Sequence, residues 1–199
     1  MRLILASKSP ARLGVLRQVG LDPEVMVSDV DESLIVEDRP TVLPLALAEA
    51  KGRTVAAMID HDAVLVACDT VLEFEGRIHG KPRTPEAATT LWQRMRGSEG
   101  VVHTGHFVWV RRGESVNEAC RLGSTTVRFA DLDDEEIDAY VATGEPQRVA
   151  GGFTIDGRGG AYITSVSGDP FNVSGLSLPL FRQMVLDLGV HWPSLWVTE

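Results

Sequence analysis

Asp69 stands directly after Ala63-Val-Leu-Val-Ala-Cys68, a continuous apolar run of strand length. Such a run reads as a central strand covered on both faces, and ligand sites in open α/β sheets lie beyond the carboxyl ends of strands. A carboxylate there can bind a divalent cation or take a proton from water. The structural alternative is a cap on a turn through Thr70 and Val71. Glu32 lies beside Asp29 and Asp31 in the polar stretch Ser28-Asp-Val-Asp-Glu-Ser33. It is a candidate second oxygen ligand for Mg²⁺, which proteins usually hold with one or two carboxylates plus phosphate oxygens. Read without that role, the stretch is an exposed acidic loop.

The cations that could face these carboxylates are few and well placed. Arg2-Leu-Ile-Leu-Ala6 breaks into Ser7-Lys8-Ser9-Pro10 and resumes with helical character through Leu13, Leu16 and Val19. Pro10 suits the first turn of a helix, so the junction offers hydroxyls, unpaired N–H groups and the cations Lys8 and Arg12, an arrangement suited to an anion. Lys51, in an Ala- and Leu-rich helix, either reaches a phosphate or snorkels along the surface. Lys81, between Gly80 and Pro82, is a cation on a fixed backbone. The run Gly76-Arg-Ile-His-Gly80-Lys81 is one residue short of a Walker loop and ends in Pro82, so that match fails.

Other chemistries are excluded by pattern. His103 and His106 point to opposite faces of a strand and are far in sequence from the cysteines, so the histidines make no metal site. Ser7, Ser9 and Ser28 lack the flanking glycines of a nucleophile elbow. The glycines of Gly157-Arg-Gly-Gly160 precede no helix start, so they are not a dinucleotide fingerprint. Cys68 and Cys120, only two and widely separated, read as buried reduced thiols.

The elements that must position these residues follow from local signals. Helices are expected from Pro10, over Leu45–Met58, from the Thr84-Pro85 cap to about Met95, from Asp131–Glu136 to about Thr143, and over Pro179–Leu188. Strands are expected at Leu3–Ala6, Glu24–Val27, Ala63–Cys68 and Ala161–Val166, with a hairpin through Glu75-Gly76. Val101–Val110 and Glu118–Phe129 read as a long hairpin that can project from the sheet. Strands alternate with helices along most of the chain, which gives an α/β class with a mixed sheet. At 199 residues and 44% hydrophobic, the chain can form one domain over residues 1–199. No run is long enough to span a bilayer and no signal-peptide pattern follows Met1, so the expected location is cytoplasmic, with no membrane partner. A net charge of −9 argues against a nucleic-acid partner, while a small anionic ligand remains open if cations are concentrated locally.

Set side by side, these pieces resemble the Maf family of nucleoside triphosphate pyrophosphatases, the septum-formation-like proteins. The matching segments are Leu5-Ala-Ser-Lys-Ser-Pro-Ala-Arg12, Asp31-Glu32, Leu47-Ala-Glu-Ala-Lys51, Ala67-Cys-Asp-Thr70, Gly80-Lys81-Pro82, Thr104-Gly105, Glu145-Pro146, Ala150-Gly151-Gly152 with Gly157, and Asn172-Val173 with Gly175-Leu176. They run in family order over nearly the whole chain. The resemblance implies an elongated, inosine-triphosphatase-like α/β fold, with a mixed sheet, flanking helices and two lobes around a central cleft, in a homodimer. It also implies hydrolysis of (d)NTPs, including non-standard or modified ones, between the α and β phosphates to a monophosphate and pyrophosphate, with Mg²⁺ or Mn²⁺. Asp69 matches the active-site aspartate, with Glu32 and Asp69 as metal ligands. Ser7, Ser9, Arg12, Lys51, Thr70, Lys81 and Asp156 fall on substrate-binding positions. The chain departs at Ala11, where an Arg or a Trp is common, at Arg148-Val149 in place of Asp-Lys, and at Asp156 in place of Gln. Ala11 and Val149 motivate an alternative, a nucleotide-binding regulator of division with little turnover.

Overall fold

The computed structural model describes residues 1–197. Its centre is a seven-stranded mixed sheet in the order β2-β1-β3-β5-β6-β7, with β4 paired to β3. The strands are β1 (Arg2–Leu5), β2 (Glu24–Val25), β3 (Ala63–Phe74), β4 (Arg77–His79), β5 (Glu99–Arg112), β6 (Ser115–Phe129) and β7 (Ile163–Ser167). The flanking helices are α1 (Pro10–Gln18), α2 (Leu43–Ala56), α3 (Pro85–Met95), α4 (Asp134–Ala142), α5 (Pro170–Val173) and α6 (Leu178–Asp187). β1, β2 and β3 run parallel, and every other pairing is antiparallel.

Helix starts follow the local signals. Ser9, Thr84 and Ser177 cap α1, α3 and α6 with a proline in the first turn, and Asp133 with Glu136 forms a reciprocal capping box on α4. The sheet differs from expectation in three places. β3 does not end at Cys68 but continues through the β-branched Thr70 and Val71 to Phe74, so Asp69 lies within the strand and caps no turn. The β5–β6 hairpin does not project: β5 lies between β3 and β6, pairing along Ala63–Glu73 on one side. β2 is only two residues, and β7 begins at Ile163 after a 3₁₀ turn over Arg158–Tyr162.

The register of β3 opens the site. On one edge Arg2–Leu5 pairs with Ala63–Val66, and Arg77–His79 pairs with Leu72–Phe74. Residues 67–71 therefore have no strand neighbour on that edge, although β5 remains paired to them on the other. The sheet's period of two decides which core each side chain enters. Val64, Val66 and Cys68 pack with α1 and α6, Ala63, Leu65 and Ala67 pack with Ala48 and Val55 of α2, and Leu72 and Phe74 join Trp92, Met95, Ile137 and Tyr140 of α3 and α4. Three apolar clusters thus meet around the unpaired stretch, and Asp69 and Thr70 point to opposite faces there. Cys68 is buried as expected, but Cys120 is exposed. No helix among the described residues is long and apolar enough to cross a membrane.

Candidate active site

The first turn of α1 builds a cradle by hydrogen bonding within a few residues. Ser9 Oγ accepts from the Arg12 N–H (3.4 Å), and Ser7 Oγ accepts from the Ser9 N–H (3.2 Å). The Arg12 guanidinium then spans the site, donating from Nη1 to Ser7 Oγ (3.0 Å), from Nε to Gly175 O (2.8 Å) and from Nη2 to Thr70 Oγ1 (3.1 Å). Thr70 Oγ1 is 3.0 Å from Thr104 Oγ1, which donates to Asn172 O (3.0 Å). The Thr104 proton is committed to Asn172, so Thr70 donates to Thr104 and keeps a lone pair for Arg12. These acceptors are all neutral, so Arg12 is held in one plane while its charge stays available to an anion.

On the opposite face, Lys51 Nζ lies 2.6 Å from Asp69 Oδ1 and 2.7 Å from Glu32 Oε1. The side chains of Lys51 and Asp69 are both 13% exposed, whereas Glu32 is 57% exposed. Burial pushes the Asp69 carboxyl above the ordinary carboxylate range, against the charges of Lys51 and Arg12. The lysine reaches this point because α2 lies directly on the sheet. A Cβ on Gly105, the β5 residue paired with Asp69, would sit 2.2 Å from Pro44 O at the start of α2. A Cβ on Gly52 would sit 2.0 Å from Phe107 Cδ1. Gly105 thus brings the sheet to backbone contact with the start of α2, and Gly52 seats the helix backbone on the Phe107 ring, with Lys51 next to it.

The two groups line one cleft of about 1720 Å³, together with exposed Lys8, Lys81 and Asp156. Ser7, Ser9, Arg12 and Thr70 are joined by hydrogen bonds, and Glu32, Lys51 and Asp69 by ion pairs. Lys81 and Asp156 share the cleft wall but bond to neither group. Sequence reasoning assigned no role to Arg83, Arg148, Arg158 or Glu145, which also line it. Glu145-Pro146 is visible as a family match, and Arg148 supplies to this wall a cation where Arg148-Val149 stands in place of Asp-Lys. Arg83 left no sequence signal; its left-handed backbone (φ 65°) is visible only in three dimensions. His103 and His106 are buried and structural. His103 bridges Glu73 and Ser124, and His106 bonds Thr104 O and the Ser177 N–H.

A divalent metal passes a direct test of fit. Carboxylates from two elements already converge on one cationic point, the Lys51 ammonium, and the donors are hard oxygens of the kind Mg²⁺ and Mn²⁺ take. No cluster of three or more His, Cys, Asp or Glu side chains forms a closed metal cage among the described residues. Such a pair therefore suits an ion whose remaining ligands come from phosphate and water.

The chain is 51% identical to a nucleoside triphosphate pyrophosphatase of Cutibacterium acnes, over 97% of this chain and 93% of that protein. It is also 51% identical to one of Streptomyces coelicolor, over 98% of this chain and 94% of that protein. Among solved structures, the Staphylococcus aureus Ham1 protein aligns over 92% of this chain and 91% of its own at 14% identity, with a TM-score of 0.44. Residues 2–188 match the Maf-like protein family, and with relatives of this identity along its whole length the chain belongs to that family.

Proposed function

We infer that this chain is a nucleoside triphosphate pyrophosphatase, hydrolysing its substrate between the α and β phosphates. The observation that carries the reading is the buried Asp69 carboxylate, ion-paired to Lys51 within the unpaired stretch of β3 and facing the same cleft as the Ser7–Arg12 cradle. The attack of water on a triphosphate is opposed by its negative charge until cations and N–H donors offset it. Arg12, the Ser7–Ser9 loop, Lys8, Lys81 and Arg148 are the groups that do this here. Asp69 is the base: with its carboxyl raised by burial, it takes the proton as the water oxygen bonds to phosphorus. The bridging oxygen leaves with the other phosphorus, giving a monophosphate and pyrophosphate. Glu32 and Asp69 would hold Mg²⁺ or Mn²⁺, whose positive charge would offset the negative charge of the phosphate oxygens. Arg148 on the cleft wall answers the thinned cationic site that motivated the low-turnover alternative. A homodimer is part of the proposal, checked by light scattering on the purified chain.

The test is a panel of nucleoside triphosphates with Mg²⁺ or Mn²⁺. The expected products are a monophosphate and pyrophosphate, and Asp69→Asn abolishes turnover. Orthophosphate as the first product, or an active Asp69→Asn, refutes the reading.

A further inference from the structure

Away from the Asp69–Lys51 pair, a single carboxylate holds the other wall of the cleft. Glu145 Oε1 accepts from the Tyr140 hydroxyl (2.7 Å), the Thr154 hydroxyl (2.7 Å) and the Gly159 N–H (3.0 Å), and Oε2 accepts from the Arg158 N–H (3.1 Å). Those donors come from α4 and from both ends of the 154–159 segment, so one side chain ties the loop to itself and to the helix. Space around the carboxylate is cleared for it. A Cβ on Gly157 would lie 2.5 Å from Thr154 Oγ1 and 2.8 Å from Glu145 Oε2, and one on Gly159 would lie 2.4 Å from the Tyr140 hydroxyl oxygen. The helical anchor is firm, since Tyr140 is 2% exposed and packs edge-on against Trp92 and Tyr162. Burial alone would raise the Glu145 carboxyl, but the four donors outweigh it and hold the group below the ordinary carboxylate range, so it stays an acceptor.

The wall held in this way lines the cleft apart from the Asp69–Lys51 pair. Thr154 to Arg158 line the cleft, yet no hydrogen bond or ion pair joins them to Asp69, Lys51, Glu32 or Arg12 among the described residues. The Asp156 carboxylate on this wall only accepts, so it suits N–H and O–H donors of the nucleoside. We propose that Glu145 is a positioning residue that fixes the 154–159 wall, and through it substrate retention and selectivity among nucleobases. This rests on the pyrophosphatase reading. A wall that touches only the non-reacting part of the substrate contributes equally to ground and transition states, so loosening it raises KM and leaves kcat in place.

The experiment compares wild type with Glu145→Gln, Glu145→Ala, Tyr140→Phe and Thr154→Val. Steady-state kinetics with ATP, GTP, CTP and UTP plus metal run alongside calorimetric Kd for the same four nucleotides without metal. Glu145→Ala loses every acceptor and raises KM by about tenfold or more. Glu145→Gln keeps one oxygen and shows a smaller rise, Tyr140→Phe and Thr154→Val smaller rises still, with kcat within about twofold throughout. The spread of kcat/KM across the four bases narrows in the same order. KM and spread unchanged in the folded variants overturn the proposal, as does kcat falling in step with kcat/KM. If Glu145→Ala does not fold, the two single-donor variants decide. Wild type without turnover refutes the pyrophosphatase reading instead, and the Kd values still decide the role of Glu145.

Discussion

Gly52→Ala tests whether helix-to-sheet contact places Lys51, using a residue that touches neither phosphate nor carboxylate. The added methyl would sit 2.0 Å from Phe107 Cδ1, 2.6 Å from Cε1 and 2.9 Å from Cγ, where carbon atoms settle at about 3.5–4.0 Å. Either the ring or α2 must move by roughly 1.5 Å. Phe107 is 1% exposed within the cluster of Ala48, Val55 and Ala67, so the helix is the part that moves. Overpacking of this kind costs about 1–3 kcal/mol, offset by about 1 kcal/mol from replacing glycine within a helix. The remainder, about 0–2 kcal/mol, lowers Tm by up to roughly 8 °C for a chain of this length. Activity should fall further than stability. The 2.6 Å and 2.7 Å contacts of Lys51 cannot survive a 1 Å shift of the adjacent backbone, and such misplacement costs about 10²-fold in rate. The assay is kcat/KM on the best triphosphate beside a thermal melt. Gly52→Ala/Phe107→Leu, which gives the methyl room, should recover part of both losses, a non-additive result. A Gly52→Ala protein with wild-type melting and wild-type kcat/KM refutes the reasoning.

Lys51→Met removes the cation from a buried carboxylate while keeping side-chain bulk. Burial of Asp69 is then less opposed, so the rising limb of the rate–pH profile moves to higher pH and kcat falls by about 10²-fold or more; an unmoved limb counts against Asp69 as the base. His106 predicts acid lability. Burial holds its pKa down at about 4 against an ordinary 6.5, with Nδ1–H donating to Thr104 O and Nε2 accepting from Ser177 N–H. The folded pKa is depressed, so this stabilisation is present in full above pH 6.5 and is lost as pH falls through about 4, at most roughly 3 kcal/mol. Urea melts at pH 7, 5.5 and 4.5 read it, and His106→Asn should flatten the dependence.

What the chain declares locally and what it withholds separate by the range of the cause. The Ser9-Pro10 and Thr84-Pro85 caps are legible because a helix start is decided within one turn. The apolar run before Asp69 marks a buried strand, but nothing between residues 63 and 74 says that β1 stops opposite Val66 and β4 starts opposite Leu72. That mismatch of neighbours, rather than a strand end, is what exposes Asp69 and Thr70. The β5–β6 pair is readable from its turn, whereas its central place depends on β3 choosing it as a partner. Cys120 belies its expected burial because it lies on β6, its Sγ 3.7 Å from Leu45 O at the margin of α2. Glu145 shows in the sequence only as part of the Glu145-Pro146 match, and its role stays hidden there because its four donors are spread from Tyr140 to Gly159 and converge only after the loop has closed.

The net charge of −9 and a site for a polyanion are reconciled by where each kind of cation goes. The chain has three lysines, Lys8, Lys51 and Lys81, and all of them line the cleft. Many arginines are spent elsewhere on the surface, in pairs such as Arg17–Asp22, Arg53–Glu118, Arg96–Asp134 and Arg121–Asp187. Lys8, Lys81, Arg83, Arg148 and Arg158 face the cleft with no carboxylate partner among the described residues. A compact ammonium on a flexible stem suits a phosphate chain that must enter, react and leave as two anions. The planar fork of Arg12, by contrast, is locked by three neutral acceptors and marks a fixed point. Acidity elsewhere on the surface then has a use: it disfavours anions there, while in the cleft field lines concentrate where unpaired cations meet low-dielectric walls.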